Sequence, residues 1–207
     1  MKLNIDQLNH IDTILEDYGL DFLDFKLEIK DHIATQIEEL CKEQELSFEQ
    51  SLQIALEQWK PQLKLTESLW ISNKRSFPRI VNNALQKRYI IYNCITLVLV
   101  IFLYGLDIFK LNKSEIQPIY MFASLGTLWL IFSYLCYSIY RSGLKTSFSY
   151  EFNRFYKLFS MMLGFGGLFL LISNTIIIWS LVILSYMPIG LYSYFKHKKF
   201  EKQYKLV

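Results

Sequence analysis

The sequence predicts an all-α protein in which an N-terminal cytoplasmic three-helix domain is followed by four transmembrane helices arranged as two hairpins. Three observations predict this fold class: apolar residues recur at helical spacing in the first 61 residues, long apolar runs dominate residues 89–195, and charge divides unevenly between these parts. The predicted organisation is an acidic domain over 1–61, a basic juxtamembrane linker over 62–88, the membrane domain over 89–195 and a basic cytoplasmic tail over 196–207.

Apolar stripes define the first two predicted helices. The first begins near Asn4 or Ile5 and ends before Gly19, because glycine readily adopts the left-handed conformation that terminates a helix. The second covers about 21–43. Residues three or four apart are expected to face inward: Leu8, Ile11, Leu15 and Tyr18 in the first helix, and Phe22, Phe25, Ile29, Ile33, Ile37 and Leu40 in the second.

The third predicted helix has both a start signal and a stop signal. Ser47 and Gln50 have the spacing of a capping box, in which each side chain bonds the backbone N–H of the other residue. Pro61 marks the expected end. The inward stripe consists of Phe48, Leu52, Ala55, Leu56 and Trp59. A domain of about 60 residues is only marginally stable alone, so we expect support from the membrane flank or from a second copy.

The charge balance separates the two halves of the chain. Residues 1–68 carry 15 acidic and 6 basic side chains, a net charge of −9, whereas residues 69–207 carry 4 acidic and 16 basic ones. Such asymmetry indicates different surroundings for each half. Because the basic half is also the apolar half and contains no nucleic-acid-reading motif, its charge is typical of membrane flanks, and no nucleic-acid partner is predicted.

Four apolar segments are predicted to cross a hydrocarbon layer of about 30 Å, which takes about 20 helical residues. The first two are 89–109 and 117–140. The run 158–195 has no charged side chain, and as one helix it would measure about 57 Å, too long for one crossing. A turn at Ser173-Asn174 is expected to divide it, giving spans at 155–172 and 175–195. The alternative is three spans with one re-entrant segment.

Basic residues orient the predicted spans. Fourteen lysines and arginines flank one side of a four-span arrangement, and only Lys110 and Lys113 flank the other. Basic flanks face the cytoplasm, which places both termini there. The first 20 residues agree, because four acidic side chains leave no uncharged stretch for a secretory signal. The predicted location is therefore the cell membrane, as a multi-pass protein.

The linker mixes apolar and basic side chains and has no acidic residue from 68 to 106. This composition suits the lipid headgroup region. Its apolar members include Leu69, Ile71, Phe77 and Ile80. The predicted lipid contacts are Trp70, Lys74, Arg75, Arg79, Lys87 and Arg88.

Polar side chains on the second helix form the candidate interaction face. Glu28, His32 and Glu39 share one helical face, and Asp31 points beside them. Carboxylates and imidazoles are metal ligands, but one histidine without a second ligand-bearing segment predicts no metal site. Two interpretations stay open: an exposed i,i+4 ion pair, or a contact that determines how this helix meets the first or third helix.

The interiors of the predicted spans contain no ionisable side chain, which disfavours an ion-coupled transporter. Asn93 is the clearest deeper polar side chain and is expected to bond a neighbouring helix. Pro188 and Gly190 suggest a kink in the fourth span. Close helix packing is predicted at small residues of the third span: Ser160, Gly164, Gly166 and Gly167.

Two short motifs resemble a known family. The run EIKDH at 28–32, followed after about fifteen residues by SFEQSL at 47–52, is similar to the small helical HAAS-type domain over about residues 5–60. That domain is found at the N-terminus of bacterial membrane proteins, often alongside PadR-like transcriptional repressors. The third helix departs from the family's Leu-Gly-x-Pro closing, having LEQWKP at 56–61. The resemblance implies a regulatory or interaction role in the bacterial inner membrane and brings no catalytic residues.

The sequence therefore predicts a regulatory or protein-interaction membrane protein whose partners are the lipid bilayer and a cytoplasmic protein, with homo-oligomerisation left open. The alternative is an auxiliary subunit of a membrane transporter or assembly complex. Neither an enzyme nor a cofactor is predicted, because HExxH, GxSxG, GxxxxGK and CxxC motifs are missing. The histidines are also spread along the chain, at His10, His32 and His197.

Overall fold

The computed structural model describes residues 2–69, 71–105, 118–170 and 176–205. Within these ranges the chain is mostly helical, with seven helices and one two-stranded sheet, which confirms the predicted helical class. The chain divides into two compact units. The N-terminal unit comprises Met1–Arg88 with Lys145–Ser147, and the C-terminal unit comprises Tyr89–Leu144 with Phe148–Val207.

The N-terminal unit begins with three helices: α1 (Ile5–Asp17), α2 (Leu23–Glu43) and α3 (Phe48–Leu63). Local chemistry determines where they begin and end. Ser47 and Gln50 form the predicted capping box before α3. Gly19 has φ +77° after α1, which confirms the expected left-handed terminator.

The inward stripes of these helices form the core of the N-terminal unit. Seven of the predicted positions are no more than 4 % exposed: Ile11, Leu15, Ile29, Ile33, Ile37, Leu52 and Ala55. Burying a large aliphatic side chain contributes roughly 1.5–3 kcal/mol. The helical periodicity of the sequence therefore identified the part of this core that α1, α2 and α3 supply.

The predicted end of α3 at Pro61 is wrong by two residues, because the helix continues to Leu63. A proline this close to the end of a helix removes one backbone donor without interrupting a long run of hydrogen bonds. The last turn still closes, with the Lys64 N–H donating to the Lys60 carbonyl at 3.0 Å. Continuing the helix also buries Leu63 completely.

A β-hairpin follows α3, which the all-α prediction did not include. Strands β1 (Leu65–Ser68) and β2 (Ser72–Pro78) pair antiparallel. Phe77 stacks on Phe22, with the ring centroids 5.4 Å apart, and Ile71 is only 3 % exposed. We expected Ile71 and Phe77 at the lipid headgroups. They are core residues instead, because the hairpin turns them into the N-terminal unit.

Four longer helices follow the hairpin: α4 (Arg79–Gly105), α5 (Pro118–Ser142), α6 (Ser147–Leu170) and α7 (Ile176–Lys205). Pro118 is the first residue of α5, where its restricted φ favours helix entry. Helix α6 begins at Ser147, well before the predicted span at 155–172. The predicted turn at Ser173-Asn174 and the two lysines of the other side, Lys110 and Lys113, lie outside the described residues.

Aromatic rings form the core of the C-terminal unit. The Phe132 ring of α5 packs against three rings of α6, with centroid distances of 5.8 Å to Phe152, 5.3 Å to Phe155 and 5.9 Å to Phe159. All four side chains are at most 9 % exposed. Stacked and edge-on aromatic pairs of this kind add about 0.5–1.5 kcal/mol beyond the area that they bury.

Candidate functional site

The candidate interaction face lies along the outer side of α2. Glu28, Asp31, His32 and Glu39 are all exposed. The His32 ring lies 6.3 Å from the Trp59 ring of α3 at an interplanar angle of 24°. This contact favours the interpretation in which His32 helps to determine how α2 meets α3, while the three carboxylates lie open to solvent.

One turn further along α2, an amide strengthens the same junction. Gln36 Oε1 accepts a hydrogen bond from Trp59 Nε1 at 3.0 Å, and Gln36 Nε2 donates to Gln58 Oε1 at 2.5 Å. Among the described residues, no group of three or more histidine, cysteine, aspartate or glutamate side chains is placed to hold a metal ion. This face presents three exposed carboxylates beside the His32–Trp59 contact.

A buried carboxylate positions the N-terminal end of α2. Asp24 is 9 % exposed and accepts hydrogen bonds from both the backbone N–H of Ser147, at 2.8 Å, and the Ser147 hydroxyl. Arg88 Nη2 donates to the same hydroxyl at 2.9 Å, and the Leu23 N–H donates to the Lys145 carbonyl at 2.8 Å. We call these contacts the Asp24 latch. A carboxylate at the first residue of α6 satisfies a free N–H and complements the helix dipole.

The sequence offered no signal for the Asp24 latch. Its two partners, Asp24 and Ser147, are 123 residues apart. Helical periodicity marks apolar stripes and does not identify a polar residue whose partner is distant in the chain. Arg88, predicted as a lipid contact, is half-buried and lies 5.5 Å over the Phe25 ring.

A second buried carboxylate lies in the C-terminal unit. Glu151 of α6 is 3 % exposed, and its Oε2 accepts hydrogen bonds from Tyr92 of α4 at 3.2 Å and from Ser193 of α7 at 3.5 Å. The Arg154 guanidinium lies 4.6 Å from the centre of the Tyr89 ring. A buried carboxylate is costly unless it has polar partners, and the two hydrogen bonds to Glu151 Oε2 join α6 to α4 and α7.

Sequence reasoning missed Glu151, although a signal existed. It is the only acidic residue between Glu115 and Glu201, in a half of the chain where basic residues prevail. A lone carboxylate among basic and apolar residues is a candidate for a buried structural or functional group. The predicted start of the third span at 155 left Glu151 in a loop, whereas it lies in the second turn of α6.

The three histidines do not form a site. His10 and His32 belong to the N-terminal unit, and His197 belongs to the C-terminal unit. His197 is fully buried on α7, and its Nε2 lies 3.0 Å from the Ser142 hydroxyl. That hydroxyl donates its proton to the Ile139 carbonyl at 2.6 Å. The contact between His197 and Ser142 joins α7 to the end of α5.

The small residues of α6 have different roles. Ser160 is packed, since its hydroxyl accepts a hydrogen bond from Trp129 Nε1 of α5 at 2.9 Å. Gly164 is exposed, and a Cβ added there would contact nothing within 4 Å. The surroundings of Gly166 and Gly167 lie outside the described residues. The close helix approach occurs on α7, where a Cβ at Gly190 would lie 2.7 Å from the Phe155 ring.

The expected role of Asn93 is confirmed. Its side-chain oxygen accepts a hydrogen bond from the Tyr186 hydroxyl of α7, and its Nδ2 donates to the Tyr89 carbonyl at 2.7 Å. Of the predicted lipid contacts, Arg75, Arg79 and Lys87 are exposed. Trp70 and the side chain of Lys74 lie outside the described residues.

The C-terminal unit carries apolar side chains on its outside. Of 24 large hydrophobic residues exposed in the described part of the chain, 20 belong to this unit, among them Ile90, Leu97, Phe102 and Leu130. Its buried side chains include polar ones: Thr96, Ser149, Glu151, Ser185, Ser193 and His197. Two described helical segments, Arg79–Phe102 and Ala123–Ser142, are long and apolar enough to cross a membrane.

No family model, curated protein or solved structure matches this chain. The class that the fold defines is a mostly helical protein, with two helical segments of membrane-crossing length and composition among its described residues. The resemblance to the HAAS-type domain stays a prediction.

Proposed function

We propose that this chain is a multi-pass protein of the cell membrane that binds a cytoplasmic protein through its N-terminal unit, in a regulatory role. The single observation that carries the proposal is the distribution of exposed large hydrophobic side chains: 20 of the 24 in the described part of the chain lie on the C-terminal unit. Large exposed apolar patches are rare on soluble monomers, so the concentration of these side chains on one unit indicates a membrane or protein environment.

The reversed polarity of the C-terminal unit supports lipid as that environment. Ile90, Leu97 and Val98 are 62 %, 60 % and 66 % exposed, while Glu151 and Ser193 on neighbouring helices are nearly inaccessible. In water this arrangement is unfavourable, because each exposed large aliphatic side chain forgoes roughly 1.5–3 kcal/mol of burial. In hydrocarbon it is favourable, because polar groups must find partners inside the protein.

We propose four spans with both termini in the cytoplasm. Helices α4, α5, α6 and α7 supply one crossing each, arranged as two hairpins. The fourteen basic residues that flank the proposed spans on one side, against two on the other side, support this orientation. An even number of crossings puts the acidic unit and the lysine-rich end of the chain in the same compartment.

The binding surface that we propose is the exposed carboxylate face of α2. Glu28, Asp31 and Glu39 lie open to solvent on a helix whose first turn is held by the Asp24 latch. A rigid helix that presents separated negative charges favours a partner with a basic surface, since complementary charge speeds association and excludes acidic competitors. The stacking of the exposed His32 ring on the half-buried Trp59 ring keeps this face in register with α3.

A second candidate function is an auxiliary subunit of a membrane transporter or assembly complex. Glu151 favours it, because a buried carboxylate within the helices of a membrane protein often marks a functional path. The bonds from Tyr92 and Ser193 equally suit a structural role. Enzymatic activity is not part of either proposal.

Two measurements test the leading proposal. Tags at both ends, probed with a membrane-impermeant reagent in intact cells, should both be protected; labelling of one end alone would refute the even number of spans. Copurification in mild detergent should recover a soluble partner whose yield falls in an E28K/E39K variant. A D17K/E45K variant changes charge equally at exposed positions outside this face and should retain the partner. Equal recovery with both variants would exclude the α2 face.

A further inference from the structure

A groove on the N-terminal unit offers a surface distinct from the carboxylate face of α2. It has a volume of about 370 Å³ and lies beside α3 and the end of α1. Leu52, Leu56 and Tyr18 give it an apolar part. Its polar lining consists of the exposed Glu49, Gln53, Glu57 and Lys60, so two negative charges outnumber one positive charge. We call this surface the α3 groove.

The chemistry of the α3 groove selects a basic amphipathic segment. Its apolar lining suits an aromatic or aliphatic side chain, and its glutamates suit lysine or arginine. The net charge of −9 over residues 1–68 adds a long-range attraction for positive charge. An anionic lipid surface is disfavoured here by the same negative charge.

The end of α7 has the complementary composition. From 196 to 205 this helix contains five lysines and one glutamate. Lys199 and Lys202 are exposed one turn apart, and the aromatic side chains of Phe195 and Tyr204 are 65 % and 48 % exposed. Exposed aromatic and lysine side chains thus occur together at this end, which we call the α7 end.

We propose that the α3 groove binds the α7 end of a second copy of the chain. Two copies related by a two-fold axis would exchange these contacts reciprocally, which closes the assembly as a dimer. Each N-terminal unit, which has only a small core of its own, gains contacts from its neighbour. The inference rests on the proposed topology, because an even number of spans is required to put the groove and the α7 end in one compartment.

Charge exchange between full-length chains tests the inference. Two differently tagged copies are co-expressed, solubilised in mild detergent, and the recovery of one tag on the other is measured. The groove variant is E49K/E57K and the tail variant is K199E/K202E. Each variant paired with itself should lose association by about tenfold or more, because two attractions become repulsions. The groove variant paired with the tail variant should associate as the unmodified chain does, since both contacts are again complementary.

Control variants distinguish a loss of association from a loss of folding and from a general effect of charge reversal. Glu49 also complements the dipole at the start of α3, so the single variant E57K, which leaves that turn intact, is measured alongside, with helical content by circular dichroism. The charge-matched D21K/E45K variant, at exposed positions outside both the groove and the carboxylate face of α2, should self-associate normally.

Three outcomes would overturn the inference. Unchanged association of the groove variant excludes the α3 groove. If the groove variant and the tail variant do not associate with each other, the α7 end of a second copy is excluded as the occupant. The groove is then occupied by something else, such as the α7 end of the same chain. If only the tail variant loses association, and removing anionic lipid restores it, the α7 end binds lipid headgroups and not the groove. The end-tag experiment separates the two proposals. If the two chain ends lie in opposite compartments, the proposed topology is wrong and this inference fails with it. If both ends lie in one compartment, a negative association result refutes this inference alone.

Discussion

Replacing Gly190 by alanine should destabilise the C-terminal unit. A methyl group at this position on α7 would lie 2.7 Å from Cδ1 and Cε1 of Phe155 and 2.9 Å from Cε1 of Phe132. Neither ring can easily move away from the added methyl group. Phe155 and Phe132 are 9 % and 2 % exposed, and their centroids are only 5.3 Å apart.

The size of the effect follows from two opposing contributions. Overpacking a filled core costs typically about 1–3 kcal/mol. Alanine in a helix is favoured over glycine by roughly 0.8–1.0 kcal/mol, which offsets part of that cost. Gly164→Ala provides the matched control, because Gly164 also lies in a long helix and its added methyl contacts nothing within 4 Å. The difference between the two variants, about 1–3 kcal/mol, therefore measures the clash alone.

Thermal unfolding of the full chain in one mild detergent, followed by the fraction that stays monodisperse, measures this difference. For a chain of this length, about 1 kcal/mol corresponds to a shift of roughly 2–4 °C, so Gly190→Ala should melt about 2–12 °C below Gly164→Ala. Adding Phe155→Leu should restore part of the loss by removing the ring. Equal melting temperatures for the two glycine variants would refute the close approach of α7 to Phe155.

Three further predictions concern charged groups. Asp24→Ala should cost about 0.5–2 kcal/mol, as loss of a helix cap does, and should speed hydrogen exchange at the Ser147 amide; unchanged exchange would contradict the latch. Glu151→Ala should cost more than the neutral, similarly shaped Glu151→Gln, as judged by melting temperature, because only alanine leaves the neighbouring hydroxyl donors without an acceptor. The Lys26 ammonium lowers the pKa of Glu16 from its ordinary value of 4.5 by hydrogen bonding and charge. Because a depressed carboxyl pKa stabilises the fold only above the unfolded value, the advantage of the native chain over Glu16→Gln should shrink as pH falls below 4.5.

Much of the N-terminal unit was predictable because its determinants are local. The capping box at Ser47 and Gln50 depends on two residues three positions apart, and the left-handed Gly19 depends on its missing side chain. The core stripe of α2 follows from the 3.6-residue turn of a helix acting on apolar positions such as Ile29 and Ile33. Each feature is complete within one or two turns of chain.

The candidate site was predictable only in part. Helical spacing put Glu28 and Glu39 on an exposed face, and the structure leaves them exposed. Helical spacing did not indicate that His32 packs on Trp59, because α2 and α3 must pack together before those two rings can approach each other. The hairpin escaped prediction for a similar reason: Phe77 lies in a strand because it packs on Phe22, which tertiary contact provides.

The helical class, the ends of several helices and the unequal charge of the two halves can be read from the sequence, because each depends on neighbouring residues or on composition. Three contacts become visible only once the chain is folded: Asp24 with Ser147, Glu151 with Tyr92 and Ser193, and the Phe155 ring against Gly190. These contacts bring together groups far apart in the chain. Their energies come from burial and from pairing inside a packed interior, which no local pattern of residues specifies.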